Sequence, residues 1–178
     1  MAPAPGASAL FDAVVTVFSC LPNLETRIPA MRAGWLGTLR ALGVPYVIIV
    51  GGAEGEAWQE GDVVHVPAPD DYEGLPQKTL ATIDWVRRHT GFGHMVKIDD
   101  DCFLNAEEFF LSQSYRKFDY YGRVLTRGIG QMDRAWHLEK SSSLRGRHEL
   151  DKSPEPSTYT DGGSGYALSR RAMQAVAP

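Results

Sequence analysis

The stretch Met95-Val96-Lys97-Ile98-Asp99-Asp100-Asp101 joins a short apolar run to three consecutive carboxylates. The apolar residues predict a buried strand, and the acids follow at its carboxyl end. In an open α/β sheet, ligands bind in the crevice outside the carboxyl ends of the strands. The stretch therefore predicts both a strand of the sheet and the edge of the sheet at which a site lies.

Upstream of this stretch, predicted strands and helices alternate. Short apolar runs predict strands at Ala13 to Phe18, Tyr46 to Val50 and Asp62 to Val66, and Gly or Pro follows the last two. Apolar residues at intervals of three and four predict one helix from Glu25 to Leu42 and another from about Gln77 to Thr90. The β-α-β order implies a mostly parallel sheet flanked by helices on both faces.

Downstream of the acids, two residues fit helix N-caps. Asn105 is followed by Glu108 in the spacing of a capping box, and Ser169 precedes a helical segment. Strands are predicted at Tyr120 to Leu125 and at Tyr166 to Leu168. Residues 126–160 are rich in Gly, Ser, Arg and Pro and are predicted to form a long loop, a kind of segment that often carries function.

The composition is that of one globular domain of 178 residues, with 43% hydrophobic and 22% charged residues. Residues 1–10 are predicted to be a disordered tail, and residues 11–178 the α/β domain. The apolar runs are much shorter than the roughly 20 residues that cross a bilayer, so no transmembrane segment is expected. The net charge is −4, without a block of basic residues, so nucleic acid is not an expected partner.

Three adjacent carboxylates at a strand end favour a bound cation. Two like charges about 4 Å apart repel by about 4 kcal/mol at an effective dielectric constant near 20. Mg²⁺ and Mn²⁺ suit carboxylate oxygens and keep coordination positions for water and for diphosphate oxygens. Because alternate side chains share a face of extended backbone, Asp99 and Asp101 can converge while Asp100 points elsewhere. The alternatives are a solvated acidic turn and a cluster of acids at the start of a helix.

Four segments carry a resemblance to a known family. They are Arg27, Arg32 and Trp35; residues 70–79 (Asp-Asp-Tyr-Glu-Gly-Leu-Pro-Gln-Lys-Thr) with Trp85; residues 97–105 (Lys-Ile-Asp-Asp-Asp-Cys-Phe-Leu-Asn); and residues 159–170 (Tyr-Thr-Asp-Gly-Gly-Ser-Gly-Tyr-Ala-Leu-Ser-Arg). In this order they resemble the β-1,3-galactosyltransferase and fringe group of glycosyltransferases. Gly74 and Pro76 depart from that group, in which Asn is usual at the first position and Thr is common at the second.

The resemblance implies a GT-A fold, which is a Rossmann-like α/β domain that binds a UDP-sugar together with Mn²⁺ or Mg²⁺. It implies transfer of a hexose or N-acetylhexosamine, with inversion, to a hydroxyl of a glycan or a small-molecule acceptor. Asp101 is the first candidate metal ligand and Asp99 the next, because an ion that bridges diphosphate oxygens stabilises the leaving group. Asp100 is expected to meet ribose or sugar hydroxyls.

Five further residues are expected to bind the nucleotide-sugar. Ser19 falls where the family has a serine closing the first strand. Arg27 and Lys78 can donate charge-assisted hydrogen bonds to the nucleotide, and an ion pair on the surface is the alternative for each. Asp70 and Asp71 can accept from the uracil or the ribose, and a turn-capping role is the alternative.

The sugar and acceptor pocket is expected near the glycine-rich segment. Gly162 and Gly163 lack side chains, so a sugar can approach the backbone there, and a tight hairpin turn is the alternative. Trp136 and Tyr159 offer flat apolar faces on which a sugar ring can pack, and a place in the core is the alternative.

The general base that an inverting transfer needs has only a fallback candidate, Asp161. In the family this carboxylate comes from an acidic pair after the glycine-rich segment. No such pair precedes Pro178, so the carboxyl-terminal part of the domain is expected to be absent. Two other functions stay open. One is a non-catalytic module that binds nucleotide-sugars or glycans, and the other is a sugar nucleotidyltransferase, which normally has a glycine-rich loop after its first strand.

The location expected from the sequence is the cytoplasm. The amino-terminal residues lack the cationic segment and apolar core of a secretory signal. Cys20 and Cys102 fit neither a disulfide framework nor a zinc-binding spacing, which favours free thiols in a reducing compartment. The alternative is a trimmed chain from a Golgi-lumen or membrane-associated protein, as the resemblance implies for eukaryotic relatives.

Overall fold

The computed structural model of the protein describes residues 11–127, 140–141 and 157–177. The predicted tail over 1–10, the aromatic residue Trp136 and the terminal Pro178 lie outside the described residues. Among the residues that are described, no helix has both the length and the apolar character that crossing a membrane requires.

The described residues contain nine strands in two sheets. These strands are β1 (Ala13–Phe18), β2 (Tyr46–Val50), β3 (Trp58–Glu60), β4 (Val63–His65), β5 (His94–Asp99), β6 (Tyr120–Gly122), β7 (Val124–Arg127), β8 (Ser157–Thr160) and β9 (Tyr166–Ser169). The larger sheet has the order β3-β4-β2-β1-β5-β9-β6, and β7 pairs with β8 in the smaller one.

The four strands in the middle of the larger sheet are parallel. Strand β1 pairs with β2 and with β5, and β2 pairs with β4. The outer strands β3, β9 and β6 each run antiparallel to the neighbour with which they pair. The prediction of an α/β fold with a mostly parallel sheet is confirmed, and the arrangement is consistent with a GT-A-like architecture.

Five α-helices surround the larger sheet within the described part of the chain. They are α1 (Asn23–Ala33), α2 (Trp35–Leu42), α3 (Leu75–His89), α4 (Ala106–Ser112) and α5 (Arg170–Val176). The prediction of one helix from Glu25 to Leu42 is wrong, because the backbone leaves helical geometry at Gly34 (φ −100°, ψ −124°). The apolar spacing continues across this break, since Met31 before it and Trp35 after it are both buried.

The region from Tyr120 to Leu125 forms parts of two strands rather than the single predicted strand. Strand β6 pairs with β9 in the larger sheet, whereas β7 pairs with β8 in the smaller one. Arg123 separates β6 from β7, and its carbonyl accepts a hydrogen bond from Asp161 N (2.8 Å). A local apolar pattern does not show which partner a strand takes, and so this division was not visible in the sequence.

Two apolar clusters lie on opposite faces of the larger sheet. Val15 and Val17 of β1 belong to the cluster that includes Ile28 of α1 and Phe110 of α4. Val14, the neighbour of Val15 in β1, belongs to the other cluster, which includes residues of α3 and α5. Successive side chains of a strand point to opposite faces. Because Val14 and Val15 belong to different clusters, each with helix residues, helices cover both faces of the sheet, as predicted.

The predicted N-caps of α4 and α5 are confirmed. The side chain of Asn105 accepts from Glu108 N (3.4 Å), and Ser169 Oγ accepts from Ala172 N (3.1 Å). A capping box also requires the Glu108 side chain to accept a hydrogen bond from Asn105 N. In this structure it accepts from the side-chain Nδ2 of Asn105 instead (3.1 Å).

Candidate functional site

The sheet order brings the carboxyl ends of β1 and β5 side by side. Phe18 of β1 is opposite Asp99 of β5, and Asp100 N donates to Phe18 O (3.0 Å). Strands β2 and β4 lie on one side of β1, and β5 lies on its other side, so the order in which the chain adds strands reverses between β1 and β5. Such a switch point opens a crevice at the strand ends, which is where open α/β sheets bind ligands.

Asp100 is held by three donors from the loop and helix that follow β1. Its Oδ2 accepts from Ser19 Oγ (2.7 Å) and from Asn23 Nδ2 (2.7 Å), and its Oδ1 accepts from Arg27 (2.6 Å). The side chain is 7% exposed. Asp100 therefore anchors the end of β5 to the start of α1, and its expected contact with donor hydroxyls stays a prediction.

Asn23 is a member of this cluster that sequence reasoning missed. It is the first residue of α1, and it precedes Arg27 by four positions, so both side chains lie on one face of the helix. This i, i+4 spacing just after Ser19 was the available signal. An amide at a helix start is a common feature, however, and only the pairing of β1 with β5 gives it a carboxylate partner.

Asp99 is paired with Lys97 of the same strand. Lys97 Nζ lies 2.5 Å from Asp99 Oδ1 and also donates to Gly162 O (2.6 Å). Burial is the largest influence on Asp99 and raises the pKa of its carboxyl, while Lys97 opposes that rise. Lys97 thus neutralises one acid of the triplet and ties the glycine-rich turn to β5.

Asp101 is the most exposed acid of the triplet, with 64% of its side chain accessible. Arg27 lies 3.8 Å away, at a longer distance than from Asp100. The prediction that Asp99 and Asp101 share a face assumed extended backbone, and this assumption is wrong because β5 ends at Asp99 and the chain turns there, with Cys102 N donating to Asp99 O (3.2 Å). Among the described residues, no three His, Cys, Asp or Glu side chains cluster in a way that could hold a metal.

Asp70, Asp71 and Lys78 lie around the start of α3. Asp71 accepts from Gly74 N (2.8 Å), which is the turn-capping alternative. Lys78 is 2% exposed, and its Nζ lies 2.6 Å from Asp70 Oδ1 and 2.9 Å from Ser19 O. The ion pair that was the alternative for Lys78 is thus present, but it is buried rather than on the surface. Contact of these three residues with a nucleotide stays a prediction.

The glycine-rich segment forms a turn after β8. Asp161 accepts from Gly163 N (3.1 Å) and from Ser164 Oγ (2.5 Å), and these bonds lower the pKa of its carboxyl. Gly165 has a φ of +91°, and a Cβ there would stand 2.7 Å from Lys97 O. A Cβ on Gly162 would meet nothing within 4 Å among the described residues. The turn therefore requires glycine at 165 rather than at 162.

A cavity of about 320 Å³ lies between β5, α4 and the glycine-rich turn. Its wall combines apolar residues such as Val96, Ile98 and Phe109 with the polar residues Lys97, Arg123 and Ser164. The sequence did not indicate this cavity, because its apolar residues read as ordinary core positions. Of the expected pocket residues, Tyr159 lies in β8 opposite Leu125, and Trp136 is outside the described residues.

Comparison with known proteins finds one matching family model and several similar proteins, all named as glycosyltransferases. A family model described as Galactosyltransferase matches residues 48–178. The chain is 25% identical to beta-1,3-galactosyltransferase 4 of Homo sapiens, over 97% of the chain and 56% of that protein. It is 23% identical to the protein of the same name from Canis lupus familiaris, over 92% and 55%. It is 26% identical to UDP-GalNAc:beta-1,3-N-acetylgalactosaminyltransferase 2 of Danio rerio, over 68% and 23%. The chain spans about half the length of the first two relatives.

Proposed function

Because the chain belongs to the galactosyltransferase family, we propose that it forms the donor-binding part of a metal-dependent, inverting glycosyltransferase. The donor is a UDP-sugar that carries a hexose or an N-acetylhexosamine, and the acceptor is a hydroxyl of a glycan or a small molecule. The names of the relatives, which include galactosyltransferase and N-acetylgalactosaminyltransferase, support these sugar classes. Since the chain spans about half of the galactosyltransferase relatives, the reaction itself is part of the proposal.

The exposed carboxylate of Asp101 at the switch point carries the proposal. Lys97 pairs with Asp99 and Arg27 pairs with Asp100, and the side chain of Asp101 stays mainly exposed. A carboxylate in such a crevice fits Mn²⁺ or Mg²⁺, since these ions are bound through few protein oxygens and keep positions for water and phosphate. Asp101 is the proposed first ligand and Asp99 the second. A bound ion of this kind supplies Lewis-acid stabilisation of the leaving diphosphate.

Arg27 is the proposed contact for the diphosphate. Its side chain is half exposed, and the nitrogen bonded to Asp100 is one of several N–H donors on the guanidinium. The hydrogen bond to Asp100 and the negative charge of that carboxylate raise the pKa of Arg27, so the group keeps its charge. Charge-assisted hydrogen bonds from a fixed guanidinium suit phosphate oxygens.

Asp161 stays the fallback candidate for the general base. Bonds from Ser164 and Gly163 favour its ionised form and lower its pKa, and Arg123 lies 3.8 Å from its carboxylate. A lowered pKa makes a carboxylate a weaker proton acceptor. This environment favours a turn-forming role for Asp161, and the donor-binding half of the reaction is the better supported part of the proposal.

Calorimetric titration with UDP, in Mn²⁺ and then in EDTA, tests the metal. We expect Mn²⁺ to tighten UDP binding, and Asp101→Ala to reduce that gain about tenfold or more because the accessible carboxylate is lost. Asp84→Ala is the control, since Asp84 forms ion pairs with Arg87 and Arg88 within α3 and is not part of the crevice. Equal affinity of the unaltered protein for UDP in Mn²⁺ and in EDTA would contradict the proposal.

Turnover assays separate the remaining functions. Release of UDP from UDP-galactose or UDP-N-acetylgalactosamine, above a metal-free control, supports a transferase. Metal-dependent binding without release of UDP indicates a chain that binds the donor but does not transfer the sugar by itself. Release of diphosphate from UTP and a sugar 1-phosphate indicates a nucleotidyltransferase instead.

A further inference from the structure

A buried ion pair lies next to the crevice, between Asp70 and Lys78. The side chain of Lys78 is 2% exposed and that of Asp70 is 16% exposed, and the two charged groups are 2.6 Å apart. Lysine is rarely buried to this extent unless it is paired. The ion pair therefore accounts for the burial of Lys78. The contacts around the pair show which part of the molecule depends on it.

The pair joins loops that end two neighbouring strands. Asp70 Oδ1 accepts from Gly51 N (2.6 Å), directly after β2, and Asp70 Oδ2 accepts from Leu21 N (2.7 Å), shortly after β1. Lys78 Nζ donates to Ser19 O (2.9 Å). The segment 19–21 is thus held at one end by Lys78 and at the other by Asp70. A Cβ on Gly51 would stand 2.6 Å from Ala68 O, so the backbone packs closely around this pair.

The held segment leads directly to the acidic triplet. Ser19, whose carbonyl accepts from Lys78, donates through Oγ to Asp100 Oδ2 (2.7 Å). Two more donors to Asp100, Asn23 and Arg27, lie in the helix that begins just after the segment. A continuous set of bonds therefore runs from Lys78 through Ser19 to Asp100, which precedes Asp101.

Because the side chain of Lys78 is 2% exposed, direct contact with a diphosphate would require its ammonium group to move towards the surface, away from Asp70 and Ser19. Asp70 would then keep a charge in a mostly buried place without its cation, and uncompensated buried charges are strongly destabilising. We propose that Asp70 and Lys78 are positioning residues whose ion pair fixes the segment after β1 and, through Ser19, the acidic triplet. This inference rests on the proposed function, because it takes Mn²⁺ and UDP as the ligands of the crevice.

A double-mutant cycle tests the inference. The variants are Lys78→Met, Asp70→Asn and the double variant, and the measured quantity is the Mn²⁺-dependent gain in UDP affinity at a temperature at which each variant is folded. We expect each single change to reduce the gain about tenfold, as for other residues that orient metal ligands. The gain of the double variant should be no smaller than that of the single variant with the smaller gain, because the two residues act as one unit.

The titration in EDTA separates positioning from direct contact. Positioning predicts that Lys78→Met lowers the ratio of the UDP affinities in Mn²⁺ and in EDTA, whereas a lysine bound to phosphate would lower both affinities by the same factor and leave the ratio unchanged. Independent contacts of Asp70 and Lys78 with the nucleotide would make their effects additive. Either an unchanged ratio or additive effects would overturn the inference.

The Arg32–Asp62 ion pair is the matched control. Arg32 donates to Asp62 at 3.0 and 2.5 Å and joins α1 to the start of β4, at the opposite edge of the sheet from the crevice. Arg32→Met and Asp62→Asn should lower stability while the Mn²⁺-dependent gain stays unchanged. If Lys78→Met and Asp70→Asn behave in this same way, their role is only structural and the inference fails.

Ser19→Ala provides a second variant in case Lys78→Met does not fold. It keeps the carbonyl that accepts from Lys78 and removes the hydroxyl that donates to Asp100. We expect the Mn²⁺-dependent gain to fall about tenfold, and Asp70→Asn to lower it no further in this background. An undiminished gain in Ser19→Ala would overturn the inference. Absence of any gain in the unaltered protein would instead contradict the proposed function.

Discussion

Replacing Gly165 by alanine should destabilise the domain by a predictable amount. Gly165 has a φ of +91°, where a residue with a Cβ is strained by about 1 to 2 kcal/mol. The new Cβ would also stand 2.7 Å from Lys97 O, a backbone atom of β5 that does not move freely. Relief of such an overpacked contact costs about 1 to 3 kcal/mol, so the expected total is about 2 to 5 kcal/mol.

The matched control lies three residues earlier in the same turn. Gly162→Ala introduces a Cβ that meets no atom of residues 11–127, 140–141 and 157–177 within 4 Å, and Gly162 does not have a positive φ. We expect its free energy of unfolding to stay within about 0.5 kcal/mol of that of the unaltered protein. The pair of variants therefore isolates the backbone conformation and the contact with Lys97 from the general effect of a Gly to Ala change.

Urea unfolding, followed by far-ultraviolet circular dichroism, measures both variants. With a slope of about 2 kcal/mol per molar urea, Gly165→Ala should lower the unfolding midpoint by about 1 M or more. An unchanged midpoint for Gly165→Ala, or an equal loss in Gly162→Ala, would refute the reasoning. The first result would mean that the turn is not seated against β5, and the second that any side chain in this turn is harmful.

Two further predictions concern stability. Tyr115 donates to Phe11 O, and burial raises its pKa to about 12, above the ordinary value of about 10 expected when unfolded. The protonated form is favoured by folding, so the stabilisation is complete below about pH 10 and is lost as the pH rises towards 12; in Tyr115→Phe this fall should be shallower when urea unfolding is followed against pH. Ser169→Ala removes the N-cap of α5 and should cost about 1 kcal/mol in the same assay. Ser112→Ala, at the exposed carboxyl end of α4, should cost less than about 0.5 kcal/mol.

Local sequence features predicted the elements that depend on nearby residues. The apolar runs of β1, β2 and β5 predicted strands whose bounds lie within one or two residues of those observed. The caps at Asn105 and Ser169 depend on residues three positions away, and both are confirmed. In each case the physical interaction that defines the element acts over a few residues, and so the sequence displays it directly.

The breaks at Gly34 and Arg123 were missed for the opposite reason. Apolar spacing reports which side chains are buried, and burial continues on both sides of Gly34 although the helix does not.

Gly74 shows how a family pattern can change for a tertiary reason. A Cβ there would stand 2.4 Å from Pro69 O, so the asparagine that is usual in the family does not fit the turn formed in this chain.

The sequence by itself determined the alternation of strands and helices, the edge at which the carboxylates gather and the resemblance to the galactosyltransferase group. Only the tertiary structure decided what each carboxylate does. Asp100 finds partners 73 to 81 residues away because β1 and β5 are adjacent, whereas Asp101, its neighbour in the chain, stays exposed. Identical side chains in consecutive positions carry no local signal of their partners. Strand pairing brings those partners together, and the balance of burial and charge that it creates separates a structural anchor from a candidate metal ligand.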